Sequence, residues 1–278
     1  MSKYKLIALD MDGTLLSTDK KITAATAAAI KKAVAAGKYV VISSGRSLDE
    51  LKDYKEELKD FSHFVVSSGA MVYDNQKKEV LHMDTFTPAC AKEIFDIAAT
   101  EDIMLYCSKN GHCYIPQDKF DHLEEYGMGQ YRQLYLNVST FVPSIPGYFE
   151  SGTAADATMD DLQKIIYFCV SKNRRERLNS RLDHDAYAVA YTEEVNIEIT
   201  PKGSTKATGL LHLCDRLGIS MNEVIAVGDS GNDTEMLLYA GFAVAMGNST
   251  EDIKEICEVV VADNDHDGVA EAIERYLL

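Results

Sequence analysis

The 278-residue chain has no apolar run approaching the length of a membrane span, no C-x-x-C pair and too few cations to balance its acids. Each absence excludes something. Crossing a bilayer takes about 20 apolar residues in a row, so no transmembrane helix is predicted. Asp10 and Asp12 break the first apolar stretch, which leaves neither the basic nor the apolar region of a secretory leader. The expected location is the cytoplasm. Six cysteines (Cys90, Cys107, Cys113, Cys169, Cys214 and Cys257) are scattered along the chain. That spacing fits reduced, mostly buried thiols better than a disulfide framework or a zinc site. With 28 Lys and Arg against 44 Asp and Glu, the net charge of −16 argues against nucleic acid or an anionic membrane as partner. The chain is expected to be a monomer or a weak homodimer. Also missing are the P-loop glycine pattern for nucleotide phosphates and the G-x-S-x-G elbow for acyl transfer.

What is present reads as a soluble globular protein, 46% apolar and 26% charged, and long enough for two domains. Lys5-Leu6-Ile7-Ala8-Leu9 is a short apolar run suited to a buried parallel strand, and it stops at Asp10. Asp12 follows two positions later, then Gly13, where the backbone can turn sharply. Thr23 caps a predicted helix carrying Ala27, Ile30 and Val34, closed by Gly37. Lys38 to Ile42 is a second strand, running into Ser43-Ser44-Gly45-Arg46. Ser47 and Glu50 form a capping box for a helix with Leu48, Leu51 and Leu58 on its apolar face. Phe64 to Val66 is a third strand, ending in Ser67-Ser68-Gly69-Ala70, and a hairpin follows around Asp74-Asn75. Alternating strands and helices call for a parallel sheet with helices on both faces.

Between about Thr85 and Ile199 the pattern changes to polar–apolar alternation. Leu134–Val138, Ala186–Ala190 and Val195–Ile199 are predicted strands of an antiparallel sheet with one face covered by helices. Ala89–Thr100 and Lys172–Leu182 are predicted helices, and Lys172, Arg174, Arg175 and Arg177 read as the solvated face of the latter. Gly127–Gln130 and Gly152-Thr153-Ala154 have loop character, and neither receives a role. After Pro201 the parallel pattern resumes. A helix from Lys206 carries Leu210, Leu211, Leu213 and Leu217, and Val224–Val227 is a strand ending in Gly228-Asp229-Ser230-Gly231-Asn232-Asp233. A helix from Thr234, the strand Phe242–Ala245, a helix capped by Ser249 with Asp252, the strand Glu258–Ala262 and a helix opened by Asp267-Gly268 complete the chain. The expected fold class is α/β, a Rossmann-like parallel-sheet core over residues 1–84 and 200–278 with an α+β module inserted at 85–199.

Asp10, Asp12, Ser44, Asp229 and Asp233 share one address, the carboxyl end of a buried strand, and Lys206 lies at a helix start beside them. Ligands bind at that edge in open parallel sheets. Singly, Ser44-Gly45 is a plain turn, Asp233 a helix N-cap and Lys206 a surface lysine. Together they have a chemical logic. Neighbouring carboxylates resist joint ionisation, and a hard divalent cation such as Mg2+ removes that cost. A hydroxyl, a turn rich in N–H groups and an ammonium bind phosphoryl oxygens. An aspartate facing a bound phosphate is placed to attack phosphorus, and a second acid two residues on to protonate the leaving group.

Asp10-Met11-Asp12-Gly13-Thr14-Leu15-Leu16 resembles the first motif of the haloacid dehalogenase superfamily. Ser43-Ser44-Gly45-Arg46 is similar to its second, Lys206 in Pro201–Lys206 to its third, and Gly228–Asp233 to its fourth. Ala245-Met246-Gly247-Asn248 and Asp267-Gly268-Val269-Ala270 resemble the closing segments of its Cof-type phosphatases, subfamily IIB. The resemblance implies a large cap between the second and third motifs, where the inserted module falls. It also implies a Mg2+-dependent phosphatase acting on a small phosphorylated metabolite such as a sugar phosphate; a phosphomutase or a non-catalytic phospholigand-binding regulator are the alternatives. Asp10 would be nucleophile and metal ligand, and Asp12 the general acid/base with its carbonyl on the metal. Ser44, Gly45 and Asn232 would bind the phosphoryl group, and Lys206 would offset its charge and orient Asp10. Asp229 would ligate the metal, with Asp233 supporting it from behind the ligands or through water. Where the family has Ser-Asn-Gly-Ala, this chain has Ser67-Ser68-Gly69-Ala70, and the shorter Ser68 puts a contact at the site entrance in question.

Overall fold

The structure, a computed structural model, describes residues 2–152, 156–191 and 194–278, so Thr153 and Ala154 of the second glycine-bearing loop lie outside the described residues. From the N-terminus run β1 (Leu6–Leu9), α1 (Ala24–Ala35), β2 (Tyr39–Ser43), β3 (His63–Val66), β4 (Met71–Asp74) and β5 (Glu79–Met83). Next come α2 (Pro88–Ala98), β6 (Met104–Lys109), β7 (His112–Pro116), α3 (Gln117–Asp121), α4 (Arg132–Val138) and β8 (Ser139–Val142). They are followed by α5 (Ile145–Ser151), β9 (Leu162–Phe168), α6 (Lys172–Asn179), β10 (Tyr187–Ala190) and β11 (Asn196–Pro201). The chain closes with α7 (Lys206–Leu217), β12 (Val224–Gly228), α8 (Thr234–Tyr239), β13 (Phe242–Ala245), α9 (Glu251–Ile256), β14 (Val259–Val260) and α10 (Gly268–Ala272). The chain divides into two compact units, Met1–Gly45 with Tyr54–His82 and Thr205–Leu278, and Arg46–Asp53 with Met83–Ser204.

The first unit is a sheet in the order β14-β13-β12-β1-β2-β3-β4-β5. Strands β14 to β3 are mutually parallel and β4 runs against β3. The central strand β1 has no exposed residue, because its side chains are covered on both faces. On one face Leu6 and Ala8 pack with Leu210 and Leu213 of α7, Met236 of α8 and Ile253 of α9. On the other, α1 packs on β2 and on α10. Helices on both faces of a parallel sheet explain why β1 and β12 read as unbroken apolar runs rather than alternating ones. Register places Leu9 beside both Ile42 and Val227, so β1, β2 and β12 all end at one edge.

The second unit is a sheet in the order β10-β11-β9-β6-β7-β8. Its pairs are antiparallel except β7–β8, which is parallel and is bridged by a crossover through α3 and α4. Four expectations are corrected here. Leu134–Val138, read as a strand, is helical: Tyr135 and Val138 bury one turn apart, Leu136 is exposed, and Gln133 donates to Asn137 four residues on. Burial by turn, not by alternation, decides that segment. The sheet is apolar on both faces over its centre, with Leu105, Ile165 and Tyr167 in one cluster and Met104, Tyr106 and Ile166 in the other. The helix after Ser47 is a 3-10 helix over Asp49–Tyr54, although the capping box is real: Glu50 accepts from the Ser47 N–H at 2.7 Å and Ser47 Oγ from the Glu50 N–H at 3.4 Å. Thr250, not Ser249, precedes α9, because the Ser249 hydroxyl is buried and donates to the Gly228 carbonyl at 3.3 Å. The basic cluster of α6 does face solvent, where Glu101 takes Arg174 at 3.3 Å and Arg177 at 2.9 Å.

Candidate active site

The candidate residues of the first unit collect at the shared edge of β1, β2 and β12. Asp10 leaves β1 with its N–H donating to the Val227 carbonyl at 3.0 Å, and the residue is 4% exposed. Lys206 is the first residue of α7, where Thr205 caps the helix: Thr205 Oγ1 accepts from the Thr208 N–H and Thr208 Oγ1 from the Thr205 N–H. That cap aims a buried ammonium along the sheet edge. Lys206 Nζ donates to Asp10 Oδ1 at 2.6 Å and to Asp233 Oδ1 at 2.7 Å. The other oxygen of Asp233 accepts from the N–H groups of Asp229 and Ser230 at 3.0 and 3.2 Å, which folds the loop after β12 around it. Asp10, Asp229 and Asp233 each offer an oxygen within 4.8 Å of the others.

Gly13 joins the first acidic segment to this loop. It turns at φ +83°, and a Cβ there would stand 2.6 Å from Asp229 Oδ2. Thr14 Oγ1 donates to Asp229 Oδ1 at 2.8 Å. The carboxylate of Asp12 is not part of the acidic cluster; it meets Lys20 Nζ at 2.8 Å on the exposed side. Just past β2, Ser44 is buried, with its N–H on the Val65 carbonyl and its own carbonyl accepting from Ser68. Ser68 Oγ lies against Gly45, 3.4 Å from where a Cβ would stand. Asn232 is exposed, and its Oδ1 accepts from Ser230 Oγ at 2.9 Å. Thr14, Lys20 and Asn248, which donates to the Gly13 carbonyl at 2.8 Å, received no role from the sequence. Thr14 lay inside the quoted motif; nothing in the pattern marks Lys20.

Electrostatics follow from burial. Removal from water pushes the Asp10 carboxyl up to about 8; the Lys206 ammonium opposes this, and the charges of Asp233 and Asp229 add to it. Asp229 is also raised, by burial and by Asp233, against the hydrogen bond from Thr14. Burial disfavours the charge on Lys206, but Asp10 and Asp233 outweigh it and hold the ammonium above its ordinary range. With all three carboxylates ionised, one ammonium leaves two negative charges, which a divalent cation balances. Hard oxygen donors of this kind suit Mg2+.

Residues 7–273 match the family described as haloacid dehalogenase-like hydrolase. The 5-amino-6-(5-phospho-D-ribitylamino)uracil phosphatase YcsE of Bacillus subtilis is 28% identical over 281 residues, covering 99% of this chain and 96% of that protein. The chloroplastic endoribonuclease YBEY of Arabidopsis thaliana is 30% identical over 286 residues, and the chain spans only 47% of its length. A haloacid dehalogenase-like hydrolase from B. subtilis, 28% identical, superposes with a TM-score of 0.83 over 98% of this chain and 99% of that one.

Proposed function

This chain belongs to the haloacid dehalogenase-like hydrolases and, like its phosphatase relatives, hydrolyses phosphomonoesters; on that premise we propose a Mg2+-dependent reaction through an aspartyl-phosphate on Asp10. The observation that supports it most is the buried Lys206 ammonium shared between Asp10 and Asp233, with Asp229 in the same acidic cluster. Such a group of like charges is costly unless it holds a cation. Asp10, Asp229 and Asp233, with the backbone carbonyl of Asp12, would hold Mg2+, which when bound polarises the phosphoryl oxygens and offsets their charge.

The chain's own residues carry the rest of the proposal. Lys206 fixes one oxygen of Asp10, leaving the other to attack phosphorus and displace the alkoxide. Ser44, the Gly45 N–H and the Asn232 amide donate to the phosphoryl oxygens. Asp12 gives a proton to the leaving oxygen, then takes one from the water that cleaves the acyl phosphate and frees Asp10. The inserted module, 85–199, is proposed as the cap. The substrate class is a small phosphorylated metabolite.

The test is hydrolysis of p-nitrophenyl phosphate with and without Mg2+, by the wild type and Asp10→Asn. Activity is expected to need Mg2+ and to fall by about 10³-fold or more in the variant, with its circular dichroism unchanged. Near-native turnover by a folded Asp10→Asn protein would overturn the covalent route. A screen of sugar phosphates, nucleotides, flavin mononucleotide, pyridoxal phosphate and 5-amino-6-(5-phospho-D-ribitylamino)uracil, ranked by kcat/KM, would identify the substrate.

A further inference from the structure

Away from the acidic cluster, the first unit brings two histidines together. His82 of β5 and His212 of α7 stack with ring centroids 3.6 Å apart and planes 19° from parallel. Their imidazole nitrogens lie within 4.8 Å of each other, and both residues are partly exposed. The two elements are held in fixed relation around them. Leu81 packs against the apolar cluster that contains Leu210 and Leu213, and Arg216 donates to the Leu81 carbonyl at 3.1 Å.

We propose that His82 and His212 are a binding site for a first-row transition cation (Zn2+, Ni2+ or Cu2+) that clips the edge strand β5 to α7. Imidazole nitrogen is a ligand these ions favour, whereas Mg2+ takes oxygen, so the histidine pair and the carboxylate cluster select different metals. Two nitrogens bound tetrahedrally at about 2.1 Å stand roughly 3.4 Å apart. Binding turns the two partly exposed rings out of their stack until one nitrogen of each points at the shared ion. The remaining coordination positions are left to oxygen donors, and a net charge of −16 concentrates cations at the surface.

The experiment uses the full chain in saturating Mg2+, titrated with Ni2+ and followed by thermal unfolding. At a hundredfold excess over Kd, the Tm is expected to rise by about 5 °C. His82→Gln and His212→Gln are each expected to lose that rise while keeping Mg2+-dependent phosphatase turnover, which also reports that they fold. One equivalent of Cu2+ on the wild type should give an electron paramagnetic resonance spectrum with two equatorial imidazole nitrogens. The proposal is overturned by no Ni2+ effect on the wild type, by an undiminished effect in both variants, or by a Cu2+ spectrum without imidazole nitrogens. The last readout needs no variant.

Discussion

Lys206 is 2% exposed and donates to two buried carboxylates, Asp10 and Asp233. Removing one member of a buried charge network leaves the others uncompensated, which costs far more than a surface pair. Lys206→Met is expected to destabilise the Mg2+-free protein by about 3–5 kcal/mol in urea denaturation. Mg2+ should restore part of the stability and none of the turnover, since the ion can balance Asp10 and Asp233 but cannot take the lysine's place beside the nucleophile. In the second unit, His112 Nδ1 meets the buried Asp49 carboxylate at 3.1 Å. The Asp49 hydrogen bond raises the imidazole above its ordinary value, against partial burial. A histidine raised on folding contributes stability that is fully present below about pH 6.5 and lost as pH rises through the raised value. Comparing the Tm of wild type and His112→Gln from pH 5.5 to 9 should show the difference shrinking upward through that window. A constant difference would remove the pair's role. Lys20 illustrates what residue patterns do not carry: its ion pair with Asp12 depends on how the turn after β1 closes, not on spacing.

Helix α7 does more than fill the sheet's face, because its first residue is Lys206. It sits unusually close to the sheet at Gly209, where a Cβ would stand 2.5 Å from Val65 Cγ1 and 2.9 Å from the Gly69 backbone. Gly209→Ala must push the helix outward, and overpacking of this kind costs about 1–3 kcal/mol. The same shift carries Lys206 away from Asp10, so kcat is expected to fall even where the variant is fully folded. Urea denaturation and steady-state kinetics separate the two effects, and a stable variant with native kcat would refute the coupling. The strands of this unit were legible because both faces are buried and apolar runs then stand out between turn signals. Segment 132–138 was not, since Leu134-Tyr135-Leu136-Asn137-Val138 satisfies the alternation of a strand and the turn-by-turn burial of a helix alike. Packing of Tyr135 and Val138 into one cluster settled it. The strands β6, β7 and β9 were hidden for a related reason: burial on both faces erases the alternation expected of an antiparallel sheet.

At the scale of the molecule, two compact units each hold their own apolar core. The carboxylates proposed to hold Mg2+ all belong to the first. Ligand binding stabilises only what it binds, so calorimetry with increasing Mg2+ is expected to raise the unfolding transition of the first unit and leave that of the second in place. Asp229→Asn should abolish the shift. Among the described residues no helix is long and apolar enough to cross a membrane. The amino-acid sequence by itself determined the order of strands and helices in the first unit and the placement of Asp10, Ser44, Lys206, Asp229 and Asp233 at element ends. Those features are local, written in apolar runs and in the polar residue that stops each run. Only the tertiary structure decided that Lys206 joins Asp10 to Asp233, that Asp12 turns to Lys20, and that His82 meets His212. Each of these contacts needs a strand register or a helix packing distance, and neither is encoded in any short window of the chain.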